Sequence, residues 1–292
     1  MEKMLRMESL TNMLFTSQTP NSRHQKRRIL PIQISASREL GQKTWIEWTQ
    51  GIRDTISLQE DTIVNNLWLR SPLGYNADIY ARKVSSDGFQ GSSVERLVRD
   101  FENFKVKFGG KYNREERFFF LHNIPNPPLH HTHDEILHPA SYSININPQI
   151  WDMYIGKILP RLVKKHGYGY GDGDKFMSAE LDKVCLLAIS RRIHYSTHVA
   201  EASFRAAPDV YEPAIIAQDR ALIMDLVMHP AWEEATTRMM KVKFRNFEEL
   251  RHWDEYSTDD KIDPSLVPDL YGRWIMPLTR QVQVEYLLKR LD

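Results

Sequence analysis

The chain has 292 residues, 41% of them hydrophobic and 26% charged, with a formal net charge of +1 at pH 7. That length allows one large globular domain or two small ones, and near-neutrality excludes a general basic field for nucleic acid or an acidic field for cationic partners. No apolar run reaches the roughly 18 residues of a membrane-spanning helix. The single cysteine, Cys185 in "VCLLAI", cannot close an internal disulfide and reads as a buried, inert thiol rather than a nucleophile.

Residues 1–42 are rich in Ser, Thr and basic residues, poor in acids, and lack a secretory apolar core. Such a leader is either a plastid or mitochondrial transit peptide or a disordered basic tail. The fold is expected in residues 43–292, and from Thr44 the apolar spacing is helical nearly everywhere. "TWIEWTQGIRDTISLQEDTIVNNLWLR" sets Ile52, Ile56, Ile63 and Leu67 at helical intervals and predicts one long amphipathic helix. "SSVERLVRDFENFKVKF" predicts a second, capped by Ser92 or Ser93.

A Pro- and Gly-dense stretch follows and reads as a long irregular connection packed by its aromatic residues. "NPQIWDMYIGKILPRLVKKHG" then opens on Asn147 as cap with Pro148 at the first helical position, and its Pro160 predicts a kink. It closes in "GYGYGDGD", a flexible linker. Residues 178–207 predict one long helix, with Glu180 and Asp182 suited to the positive end of its dipole.

Three further starts are "PDVYEPAI", "QDRALIMDLVM" and "HPAWEEATTRMM", the last with Pro230, Glu233 and Glu234 in its first turn. The last helix begins at "DPSLV" with Asp263 as cap and runs past Pro277. Almost nothing alternates with period two, so the expected fold is all-α, a single-domain helical bundle without repeats.

Most local clusters fail as chemical sites. His130, His131, His133 and His138 beside Asp134 have zinc-ligating side chains, but they lie in a proline-rich loop without the spacing that converges imidazoles on one ion. The glycine-rich loop lacks a preceding strand and a Lys-Ser/Thr ending, so it is no phosphate loop. "KVKF" and "HQKRR" are basic patches without a nucleic-acid framework. No metal and no cofactor are expected.

"SRRIHYSTHVAEASF" does better. On a helix, Arg192, Ser196, Val199 and Ser203 fall on one stripe. They make either a pocket wall for an anion or, through Arg192, a structural ion pair.

With "GIRDTISLQED", "NADIY", "DGFQGSSVERLVRD", "LHPASYSININPQIWDMY", "PAWEE" and "MPLTRQVQVEYLLKRLD", that stretch resembles the plant and fungal chorismate mutases, most closely the plastid plant ones, from about Thr49 to Asp292. The resemblance implies an all-helical, usually homodimeric enzyme that rearranges chorismate to prephenate in aromatic amino acid synthesis. It makes residues 1–42 a transit peptide and the plastid stroma the compartment. The substrate is a small dianion that rearranges through a compact chair, with negative charge growing on the breaking ether oxygen. A protein accelerates this by clamping both carboxylates and aiming donors at that oxygen.

By the same resemblance, Arg53 and Arg192 match the carboxylate-binding arginines, Glu233 the acid that meets the substrate hydroxyl, Thr279 a carboxylate-binding threonine and Gln283 the ether-oxygen partner. The family's "VAEAKF" reads "VAEASF" here, so Ser203 stands in place of the lysine that gives the second ether hydrogen bond. Losing such a donor costs about 10²–10³ in rate. Canonical activity is therefore expected to be weak or lost, the alternatives being a derived isomerase or a non-catalytic partner, homodimeric or paired with an active paralogue.

Ser196 replaces a pocket glycine, and Trp232 stands where the family has a small aliphatic residue, through either an altered cavity or repacking. Phe176 and Met177 stand where effector-responsive members carry Gly-Ser, so the allosteric site is expected to be lost.

Overall fold

The computed structural model describes residues 35–107, 116–120, 136–163, 173–251 and 265–292. Side chains are described from Glu47 onward, apart from residues 173–174 and 247–251. The fold is helical, as expected, with α1 (Ser35–Arg70), α2 (Ala77–Tyr80), α3 (Ser93–Lys107), α4 (Asn147–Met153), α5 (Leu159–Leu162) and α6 (Gly173–His194) in its first half. The second half holds α7 (Ser196–Ala206), α8 (Pro208–Ile216), α9 (Arg220–Val227), α10 (Pro230–Arg251), α11 (Leu266–Leu270) and α12 (Met276–Leu288). A two-residue antiparallel pair, β1 (Lys83–Val84) with β2 (Gln90–Gly91), is the one exception among the described residues. Its turn runs through Asp87-Gly88, and the Gly88 φ of 82° is a value that glycine adopts without strain.

α1 and α3 both pack on α6, α7 packs on α12, and α10 leans on α1 and α11. Ile63, Leu67, Ile150, Ile189, Val282 and Tyr286 belong to the main core, all of them 1% exposed or less. A smaller apolar cluster joins Ile52 and Ile56 of α1 to Tyr195, Val199 and Ala202, with Trp48 packed on it. α1 starts at Ser35, so the helix runs back past Gln42 into the stretch read as leader, where no proline interrupts it. Within the described residues no helix is long and apolar enough to cross a membrane.

Several local expectations hold and others are corrected. Ser92 caps α3, its hydroxyl accepting from the Glu95 amide at 3.0 Å. Asn147 is no cap: α4 starts on it, and its buried side chain donates to the Arg117 carbonyl at 2.7 Å and accepts from Ser190 at 2.6 Å. In place of a simple kink at Pro160, the chain widens into a π-turn (Tyr154–Ile158) just before it. A second π-turn (Tyr271–Ile275) precedes Pro277 in the same way. A proline in a helix clashes with the carbonyl four residues back, and a bond to the fifth residue back displaces that carbonyl.

Residues 178–207 form two helices rather than one, broken at Tyr195. The cause is local competition for carbonyls: Ser196 Oγ donates to the Ile193 carbonyl at 2.7 Å and Thr197 Oγ1 to the His194 carbonyl at 3.0 Å. Asp182 does not serve the helix dipole, since α6 begins at Gly173. It instead receives Arg70 Nε at 2.7 Å and the hydroxyls of Tyr80 and Tyr154 at 2.7 and 2.8 Å, a buried network that pins α1 to α6. Asp263 and the glycine-rich stretch lie outside the described residues, apart from the backbone at the start of α6.

Candidate functional site

A cleft opens where α1, the α6–α7 break, α10 and α12 converge. Ile56 of α1 and Val199 of α7 form its apolar side together with Val227 at the end of α9. Arg192, in the last turn of α6, enters beside them. His229, Trp232 and Glu233 come from the connection into α10 and its first turn. Met276, Thr279, Arg280 and Gln283 follow one another at helical intervals on α12.

Of the residues singled out in the sequence, Arg192, Val199, Trp232, Glu233, Thr279 and Gln283 thus meet in one cleft. Three others do not line it. Arg53 is half-buried one turn before Ile56. Ser196 is fully buried and turned to α12, donating to the Thr279 carbonyl at 3.1 Å, so it ties helices together rather than facing the opening. Ser203 is half-buried and is not among the lining residues.

Phe176 and Met177 are exposed near the start of α6 and lie outside this cleft. Of the histidine cluster, His130, His131, His133 and Asp134 lie outside the described residues. His138 uses Nδ1 to accept from the Ala140 amide at 3.3 Å. Among the described residues no group of three metal-ligating side chains converges.

Two arginines show what is unusual here. Arg70 is fully buried and well partnered: Nε bonds Asp182 at 2.7 Å, Nη1 the Leu73 carbonyl at 2.6 Å and Nη2 the Tyr80 hydroxyl at 2.8 Å. Arg192 is also buried, at 1% exposure, yet among the described residues its one carboxylate contact is Nη2 to Glu60 Oε1 at 3.5 Å. Its Nε has no hydrogen-bond partner among the described residues. A buried guanidinium normally fills its donors. These donors stand ready for an anion.

Glu60 lies behind that guanidinium, 1% exposed, with Lys243 Nζ at 3.9 Å from its other oxygen. Burial lifts its carboxyl above the usual range, against the opposing charges of Arg192 and Lys243. On α12, Thr279 Oγ1 donates to the Ile275 carbonyl at 2.7 Å, which leaves its lone pairs and a rotatable hydroxyl in the wall. Glu233 is ion-paired with Arg280 through both oxygens. Burial holds the half-buried His229 imidazole below its ordinary range, with the Glu233 carboxylate opposing. It stands neutral in the wall.

Glu60, His229, Met276 and Arg280 were missed by sequence reasoning. Glu60 had a signal: an acid within the Ile52–Ile56–Ile63 apolar spacing of α1. The pairing of Arg280 with Glu233 spans 47 residues and leaves no local trace. Cys185 is 1% exposed, and burial pushes its thiol up to about 12, in keeping with an inert thiol.

No protein-family model matches the chain. Chorismate mutase 1, chloroplastic, of Petunia hybrida is 44% identical over 279 residues, 91% of this chain and 85% of the relative. The Arabidopsis thaliana protein of the same name is 43% identical over 258 residues, 83% of this chain and 74% of the relative. Among solved structures, the chloroplast chorismate mutase from Zea mays matches with a TM-score of 0.72 and 41% identity, covering 83% of this chain and 95% of that one.

Proposed function

The chain belongs to the chorismate mutase family, and from that premise we propose that its cleft takes chorismate as a dianion, with a rearrangement to prephenate that is slow for the family. The observation that carries the reading is Arg192: buried, lining the cleft, held by one long contact to Glu60, and with an Nε that has no partner among the described residues. Such a guanidinium offers a bidentate grip to a carboxylate. Arg53 supplies the second grip in this reading, from one turn before Ile56. Thr279 adds a hydroxyl to a carboxylate, and Glu233 accepts from the substrate hydroxyl.

Gln283 is 8% exposed and lines the cleft from α12. It donates to the ether oxygen without needing a proton from solution. Held this way, the substrate sits in the chair from which the bond migrates, and no nucleophile or cofactor enters. Val199 and Trp232 shape the apolar walls.

The second ether donor is where rate is lost. Serine is uncharged and several bonds shorter than lysine, and Ser203 does not line the cleft. The place of Ser203 outside the lining also favours a second reading, a chorismate-binding protein without turnover that works beside an active paralogue or as a homodimer. The chloroplastic relatives support the plastid as compartment, with the stroma as the site of action. Calorimetric titration of the full chain with chorismate tests substrate binding directly. Wild type is expected to bind and Arg192→Met to lose at least tenfold in affinity; no binding by wild type removes the proposal.

A further inference from the structure

We infer that Arg280 is a carboxylate anchor of the cleft which Glu233 holds until an anion arrives, so that the entering dianion exchanges places with the Glu233 carboxylate. This rests on the reading of the cleft as a chorismate site. Arg280 lies between Thr279 and Gln283 on α12 and lines the cleft, whereas Arg53 does not. Both Glu233 oxygens accept from Arg280 Nη1, and each of the two side chains is 21% exposed.

Charge balance gives this pair its role. With the cleft empty, Arg192 faces Glu60 and Arg280 faces Glu233, two cations matched by two carboxylates. His229 adds none, because burial keeps it neutral. A dianion therefore meets a lining whose ion pairs cancel, and a grip from Arg280, in addition to those of Arg192 and Arg53, requires one carboxylate to withdraw. Glu60 is 1% exposed and packed behind Arg192, so it has nowhere to go.

Glu233 is placed to yield. It stands in the first turn of α10 with a fifth of its side chain open to solvent, and ion pairs with that much access to water contribute little. The exchange also frees the carboxylate to accept from the substrate hydroxyl. One movement then fills both ends of the ligand.

The probe is prephenate, which carries both carboxylates and is not consumed, titrated calorimetrically into the full chain at fixed ionic strength. Arg280→Met is expected to weaken binding about ten- to hundredfold, the usual scale for a charged hydrogen bond, and Arg280→Lys to recover part of it. Glu233→Gln breaks the same ion pair yet removes the competing charge, so it is expected to tighten binding several-fold. A merely structural pair moves both variants in the same direction.

Unchanged affinity in Arg280→Met, or weakening in both Arg280→Met and Glu233→Gln, overturns the exchange. If prephenate binding survives in those variants but is lost in Arg192→Met, the cleft reading stands and this inference alone falls. If wild type binds no prephenate, both fall together.

Discussion

Glu60→Gln tests whether the buried charge behind the cleft is real. The substitution keeps size and hydrogen-bonding shape but leaves Arg192, 1% exposed, without a counter-charge. Removing one partner of a buried pair costs roughly 3–5 kcal/mol. The lower end applies here, because the contact is 3.5 Å rather than the 2.7 Å of the Arg70–Asp182 pair. About 3 kcal/mol in a domain of this size lowers the melting midpoint by about 6–12 °C. Circular dichroism melts of wild type, Glu60→Gln and Asp61→Asn measure it, the last as control since Asp61 pairs with Lys243 from a half-exposed site. Asp61→Asn should melt within a degree or two of wild type. A Glu60→Gln protein as stable as wild type refutes the reasoning.

Two buried groups oppose each other in acid. Burial raises Glu102 to about 7 from 4.5, so its protonation stabilises the folded chain as pH falls from 7 to 4.5. Burial lowers His194 to about 3 from 6.5, so stability is lost as pH falls below 6.5. Each slope reaches about 1.4 kcal/mol per pH unit, and urea midpoints of wild type should be nearly flat from pH 6.5 to 4.5, while Glu102→Gln should fall steadily; parallel curves contradict this. Cys185 should resist a thiol reagent at pH 8 until the chain is unfolded, and rapid native labelling would show that its burial is overstated. Added tryptophan should leave prephenate binding and turnover unchanged, given the bulk of Phe176 and Met177; a clear response refutes it.

What could be read in the sequence was whatever depends on near neighbours. The Ile52, Ile56, Ile63, Leu67 spacing marks the buried face of α1, and Ser92 announces the start of α3 through a bond three residues ahead. Prolines at 160 and 277 mark where the helix ladder must give, though not that it gives by widening into a π-turn. The spacing offers the Ser196 hydroxyl as pocket polarity, yet it and the Thr197 hydroxyl both turn back on the helix and break it at Tyr195. Asp182 looked like a dipole partner because its true partner, Arg70, is 112 residues away. Long-range pairing of this kind, and the Glu233–Arg280 contact likewise, has no local period to betray it. The cleft residues themselves came from family motifs rather than from periodicity.

The most direct measurement is the rate at which purified chain consumes chorismate, compared with Ser203→Lys under the same conditions. The account predicts slow or undetectable turnover for wild type and a gain of about 10²–10³ when the ammonium group is supplied. Wild-type turnover in the ordinary enzymatic range of about 1–10³ s⁻¹, with no gain from lysine, would contradict it.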